Sequence, residues 1–124
     1  MSFEALADEL ARCRPWLEAA LERSGFDMDF DEIVDRTLHE DFDLWPGESS
    51  VIVTETAGDR LNLWLAAGDL EELEYMMRSI DTWAREIGFH QILLFARRGW
   101  ERTFLRDHGY APRWTVMEKT LWAE

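Results

Sequence analysis

The sequence is poor in most of the residues that announce a chemistry. It holds one cysteine, Cys13, which excludes an internal disulfide and any cysteine-rich metal site. No apolar run approaches the roughly 20 residues that a membrane-spanning helix needs. The first residues, MSFEALADEL, lack the basic start and apolar middle of a secretion signal. A cytoplasmic protein without membrane contact is therefore expected. Basic residues are scarce as well, 13 Lys and Arg against 26 Asp and Glu, for a net charge of −13. Nucleic-acid binding depends on neutralising phosphates with Lys and Arg, so this balance argues against it. Repeats, low-complexity tracts and linkers are absent too.

What is present is enough to fold. Of the 124 residues 47% are hydrophobic, and seven Trp and seven Phe supply large packing units. That length fits one domain, residues 1–124, with a core of its own. The charge divides it into an acidic helical part, 1–45, and a part carrying a sheet and two helices, 46–124. Residues 1–45 hold 13 acids against Arg12, Arg14, Arg23 and Arg36, a net of −9. Residues 85–119 hold seven basic and four acidic residues, a net of +3. An acidic face and a smaller basic face follow.

Periodicity gives the elements. Ser2 can cap a helix in which Phe3, Leu6, Leu10 and Cys13 recur at spacings of three and four. Pro15 interrupts it, and PWLEAALERSG continues to a stop at Gly25, as one kinked helix or as two. DMDFDEIVDRTLHED reads as a further helix, with Phe30, Ile33, Val34, Leu38 and Phe42 inward. DLW, SVIVTET and RLNLWLAA are β-branched or apolar runs separated by PGES and AGD, the pattern of an antiparallel meander. In the third run Leu61, Leu63 and Leu65 alternate with Asn62, Trp64 and Ala66. A long helix over DLEELEYMMRSIDTWAREIGF follows, with a stripe of Leu70, Leu73, Met76, Met77, Ile80, Trp83, Ala84 and Ile87. HQILLFA is a buried strand, RGWERTFLRDHGY a short helix ending at Gly109, and RWTVMEKTLW a last strand. The fold class is α/β in the broad sense, α+β in detail: a mixed, mainly antiparallel sheet flanked by helices, in the order α-α-β-β-β-α-β-α-β.

That order resembles the GNAT fold of acetyl-CoA-dependent N-acetyltransferases, without its first strand. WAREIGFHQILLFA is similar to that family's third helix, glycine turn and fifth strand, and RRGWERTFLRDHGY to its last helix with the closing pair Gly109 and Tyr110. The chain also resembles small GNAT-like proteins of phages and prophages through RPWLEAAL, LWPGESSVIVTE, AAGDLEEL and RRGWER.

The family's chemistry implies three sites. A pyrophosphate loop of the pattern Gln/Arg-x-x-Gly-x-Gly/Ala would fall on Gly68, Asp69, Leu70, Glu71, Glu72 and Leu73, where its basic residue and both glycines are missing. Carboxylates at a helix N-terminus take the place a phosphate would occupy, and they also start a helix well. The general acid, often a Tyr, corresponds to Leu105, its neighbouring Asn to Arg98, and Tyr110 to a packing aromatic. No base lies on RLNLWLAA, and Glu55 on the preceding strand is the nearest carboxylate. The active site is thus expected to be degenerate, with no cofactor and no catalytic residue.

Other chemistry is thin. His39, His90 and His108 are far apart, and a satisfied or exposed histidine accounts for each more simply than a metal ligand. Asp27, Asp29 and Asp31 mimic a calcium loop, but its twelfth position would be Leu38. Cys13 lies on an apolar helical face and reads as a buried thiol. Trp and Arg are enriched at binding hot spots. Arg97, Arg98, Trp100 and Arg102, with Trp64, are accordingly the interaction candidates; packing accounts for each alone more simply, and the RRGW cluster is the best of them. The expectation is a non-catalytic GNAT-like module that binds another protein, as a virion-associated, assembly or host-interaction component in the host cytoplasm or the virion. One alternative is an acyltransferase with a rearranged acyl-CoA loop. Another is an acidic nucleic-acid mimic that inhibits a basic protein.

Overall fold

A computed structural model describes residues 1–95, 100, 103–112, 117 and 119. Three helices flank a four-stranded, mostly antiparallel sheet: α1 (Phe3–Ser24), α2 (Phe30–Leu38), β1 (Asp43–Pro46), β2 (Ser50–Ala57), β3 (Arg60–Gly68), α3 (Leu70–Ile87) and β4 (Gln91–Leu94). The order is the one periodicity implies up to β4. Beyond it a 3-10 turn, Arg106–His108, ends at Gly109 where a helix was expected to stop. The expected last strand, RWTVMEKTLW, lies almost wholly outside the described residues.

α1 is one continuous helix, capped by the Ser2 side chain accepting the Ala5 N–H at 3.1 Å. Pro15 lies inside it, on the exposed face. An interior proline costs about 3 kcal/mol. Leu17 and Leu21 are buried beyond it, and each contributes about 1.5–3 kcal/mol. The burial outweighs the proline, so the helix runs through.

The sheet order is β1-β2-β3-β4, with β1·β2 and β2·β3 antiparallel and β3·β4 parallel. α1 and α2 cover one face, where Leu10, Leu17, Ile33, Phe42, Val51, Val53 and Leu65 are buried together. α3 covers the other, over Ile52, Leu61, Leu63, Leu73, Ile80 and Leu105. On α3, Leu73, Met77, Ile80 and Ala84 are buried, whereas Leu70 and Ile87 stand 52% and 60% exposed at its two ends. The helix outlasts its contact with the sheet at each end.

One irregularity organises both faces. The β2·β3 register runs Val53↔Leu65 and then Thr54↔Leu63, leaving Trp64 as an extra residue, a β-bulge. A bulge resets the side-chain alternation. Leu61 and Leu63 therefore face α3, while Trp64 and Leu65 both pack on the α1 side. Strict alternation had placed Trp64 opposite Leu65, and the bulge corrects that.

Candidate functional site

The β3–α3 junction is where the resemblance puts a phosphate, and it is built from backbone outward. β3 ends at Gly68 with φ +120°, in the left-handed half of conformational space. A Cβ there would come within 2.3 Å of the Ser49 carbonyl oxygen and 2.5 Å of Ser50 Cα. A glutamine or arginine at this position has no room. Asp69 then caps α3, its carboxylate accepting the Glu72 N–H at 2.9 Å, while its own N–H donates to the Ser49 carbonyl at 3.0 Å.

Glu72 turns back over the three-residue β1–β2 loop, Gly47 to Ser49. Its carboxylate accepts the N–H groups of Ser49 at 2.8 Å and Glu48 at 3.0 Å. The nearby Ser50 hydroxyl, together with these N–H groups, holds the Glu72 carboxyl below the usual carboxylate range. From the other side Arg12 of α1 donates to the carbonyls of Gly47 at 2.7 Å and Glu48 at 3.0 Å. The loop's donors thus meet an anion of the chain and its acceptors meet a cation of the chain. Of the positions the resemblance assigns to a phosphate, Glu72 already gives its N–H to the Asp69 carboxylate. A pyrophosphate at this helix start would also face the charges of Asp69, Glu71 and Glu72, which disfavour it.

The remaining positions of the resemblance follow suit. Leu105, at the general-acid position, is 2% exposed within the cluster beneath α3. Tyr110 packs on the same cluster, and burial, with Asp81 nearby, pushes its hydroxyl up to about 12, so it holds its proton at neutral pH. Glu55 is less solvated than a lone strand carboxylate. It accepts the Trp64 indole N–H at 3.0 Å and the Asn62 amide at 3.3 Å. The buried Asn62 Oδ1 has no hydrogen-bond partner among the described residues. Glu55 is held as an anchor for the bulge.

Of the interaction candidates, Arg97, Arg98 and Arg102 lie outside the described residues. Trp100 is half-buried and packs against the cluster under α3. Trp64 stacks on Phe95 with centroids 4.2 Å apart and meets Phe26 edge-on at 5.5 Å. Its faces are engaged within the fold. Trp64 and Trp100 line one cavity of about 50 Å³ with Arg23, Leu94 and Phe95, at the point where the β3·β4 pairing ends. No family model matches the chain, and no curated protein matches it.

No group of three metal-ligating side chains occurs among the described residues. Asp29 caps α2 through the Glu32 N–H at 2.9 Å, His39 bonds the Asp35 carbonyl at 2.7 Å, and His108 meets Glu74 at 3.3 Å. Cys13 is fully buried, which raises its thiol pKa. Sequence reasoning missed the parts Arg12 and Glu72 play, because their partners lie 35 and 23 residues away. No local signal marks such pairs. None of the helices among the described residues is long and apolar enough to cross a membrane.

Proposed function

We propose that this chain is a non-catalytic, GNAT-like binding module that works by contacting another protein. In the setting its resemblance to phage-encoded proteins suggests, it would serve as a virion-associated, assembly or host-interaction component. The observation that carries the reading is the closed β3–α3 junction. Asp69 takes the Glu72 N–H at the start of α3, Glu72 ties that start to the β1–β2 loop, and the Gly68 position admits no side chain. A fold that keeps its architecture while filling its cofactor grip with its own carboxylates is left with its surface for function.

The cavity where β3 and β4 part favours a second reading, a ligand-binding protein with a rearranged acyl-CoA site. Its volume, about 50 Å³, is far below the roughly 300–1,000 Å³ of small-molecule sites. The protein-binding reading is therefore preferred. A thermal melt with millimolar acetyl-CoA tests it, since a ligand bound only by the native state must raise the Tm. No shift is expected. A saturable rise in Tm that changes when Asp69 or Glu72 is altered would overturn the reading.

A further inference from the structure

β1 is the edge of the sheet among the described residues, for only β2 pairs with it. The Gly47 N–H donates to the Ser50 carbonyl at 2.8 Å, which fixes the alternation along the ladder. Asp43 and Trp45 exchange bonds with β2, while Leu44 and Pro46 turn their backbone groups outward. Pro46 has no N–H to offer. The open edge therefore presents the N–H and carbonyl of Leu44 and the carbonyl of Pro46.

An open groove of about 340 Å³ runs along this edge. Phe42 and Leu44 line one side; Trp45 and Trp83, edge-to-face at 5.2 Å, line the other. Met1, Leu6 and Thr37 close its helical side, and Glu40 and Asp43, both exposed, supply its acids. Glu40 has φ +66°, the single positive value at a non-glycine among the described residues, where the chain turns from α2 into β1. Partial desolvation, with Glu40 beside it, holds the Asp43 carboxyl above the ordinary aspartate range.

We propose that this groove docks an extended segment of a partner protein in which Lys or Arg alternates with large apolar residues. The segment pairs its backbone with Leu44, sets an apolar side chain against Trp45 and Trp83, and brings its cation to Asp43 and Glu40. Strand addition of this kind takes affinity from main-chain bonds and specificity from alternate side chains. Charge selects the occupant. A second copy of this chain would set Glu40 and Asp43 near their own equivalents in a protein of net charge −13, and facing like charges destabilise a strand pair. The inference rests on the protein-binding reading and names the partner's chemistry.

The test is an NMR titration of the full chain with two synthetic hexapeptides, one alternating Lys with Val and Leu, the other carrying Glu in place of each Lys. The basic peptide should saturably shift the Leu44 amide and the Trp45 indole N–H, and the acidic peptide should do neither. Glu40→Gln with Asp43→Asn should weaken binding at least fivefold while leaving the unbound spectrum folded. Methylating the peptide nitrogens that face Leu44 should weaken it similarly. Equal binding of the acidic peptide, shifts confined to surfaces away from Leu44 and Trp45, no binding, or a dimer in sedimentation whose interface contains Leu44 would each overturn the inference. The protein-binding reading itself is judged by the acetyl-CoA melt, so the two can fail separately.

Discussion

The Glu72 carboxylate accepts the Ser49 N–H at 2.8 Å, across a gap of 23 residues, and so joins α3 to the β1–β2 loop. The ionised carboxylate accepts such N–H bonds more strongly than the neutral acid would. Its folded pKa is lowered from 4.5, so the stabilisation is fully present above that value and is lost as pH falls through the folded pKa. Glu72→Ala should lower the Tm by a few degrees at pH 7. The difference between parent and variant should shrink below pH 4.5 and vanish in stronger acid, as thermal melts across pH 7 to pH 2.5 would record.

Gly68→Ala should be among the most damaging single changes in the chain. The new Cβ meets backbone, the Ser49 carbonyl oxygen at 2.3 Å and Ser50 Cα at 2.5 Å, at a φ of +120°. Neither neighbour can swing aside as a side chain could. A loss of about 3 kcal/mol is expected, read as a lower urea midpoint. Gly58→Ala is the control, for nothing lies within 4 Å of its added Cβ and it shares only the positive φ.

Trp64 offers a way to separate ring from hydrogen bond. Trp64→Phe keeps a ring against Phe95 but removes the indole N–H from Glu55, at a cost of about 1 kcal/mol. Trp64→Ala also empties the space between Phe26 and Phe95 and should cost about 3 kcal/mol. Denaturant melts of the two variants would measure the difference; equal losses would mean that the ring contributes nothing.

Cys13 should resist modification while the fold is intact. It is wholly buried, and burial raises its thiol pKa, so both access and thiolate fraction are low. Its reaction with a thiol-specific dye at pH 8 should follow the rate of opening and accelerate sharply in urea. Rapid labelling of the native chain would contradict this placement.

Much of the architecture was legible because it is written locally. The turns PGES and AGD bound β1, β2 and β3, and Ser2 and the acid at the α3 start, Asp69, cap the helices they precede. Two features were not legible, each because a distant partner decides it. Pro15 argues for a break, and only the burial of Leu17 and Leu21 by other elements shows why the helix continues. The Trp64 bulge is a mismatch in count between two strands, which neither strand's own pattern contains. At the candidate site the acids of the α3 start could be read as poor company for a phosphate. That Glu72 instead holds a loop by its amides could not, since Glu48 and Ser49 carry no mark of it.

The bulge has a mechanical meaning for the whole molecule. By sending Leu65 toward α1 while leaving Leu61 and Leu63 under α3, it divides the large side chains of one strand between both apolar layers. Neither layer can loosen without pulling that strand out of register in the other. The acidic helical part and the sheet part are thus expected to melt as one cooperative unit, despite the sharp change in charge between them.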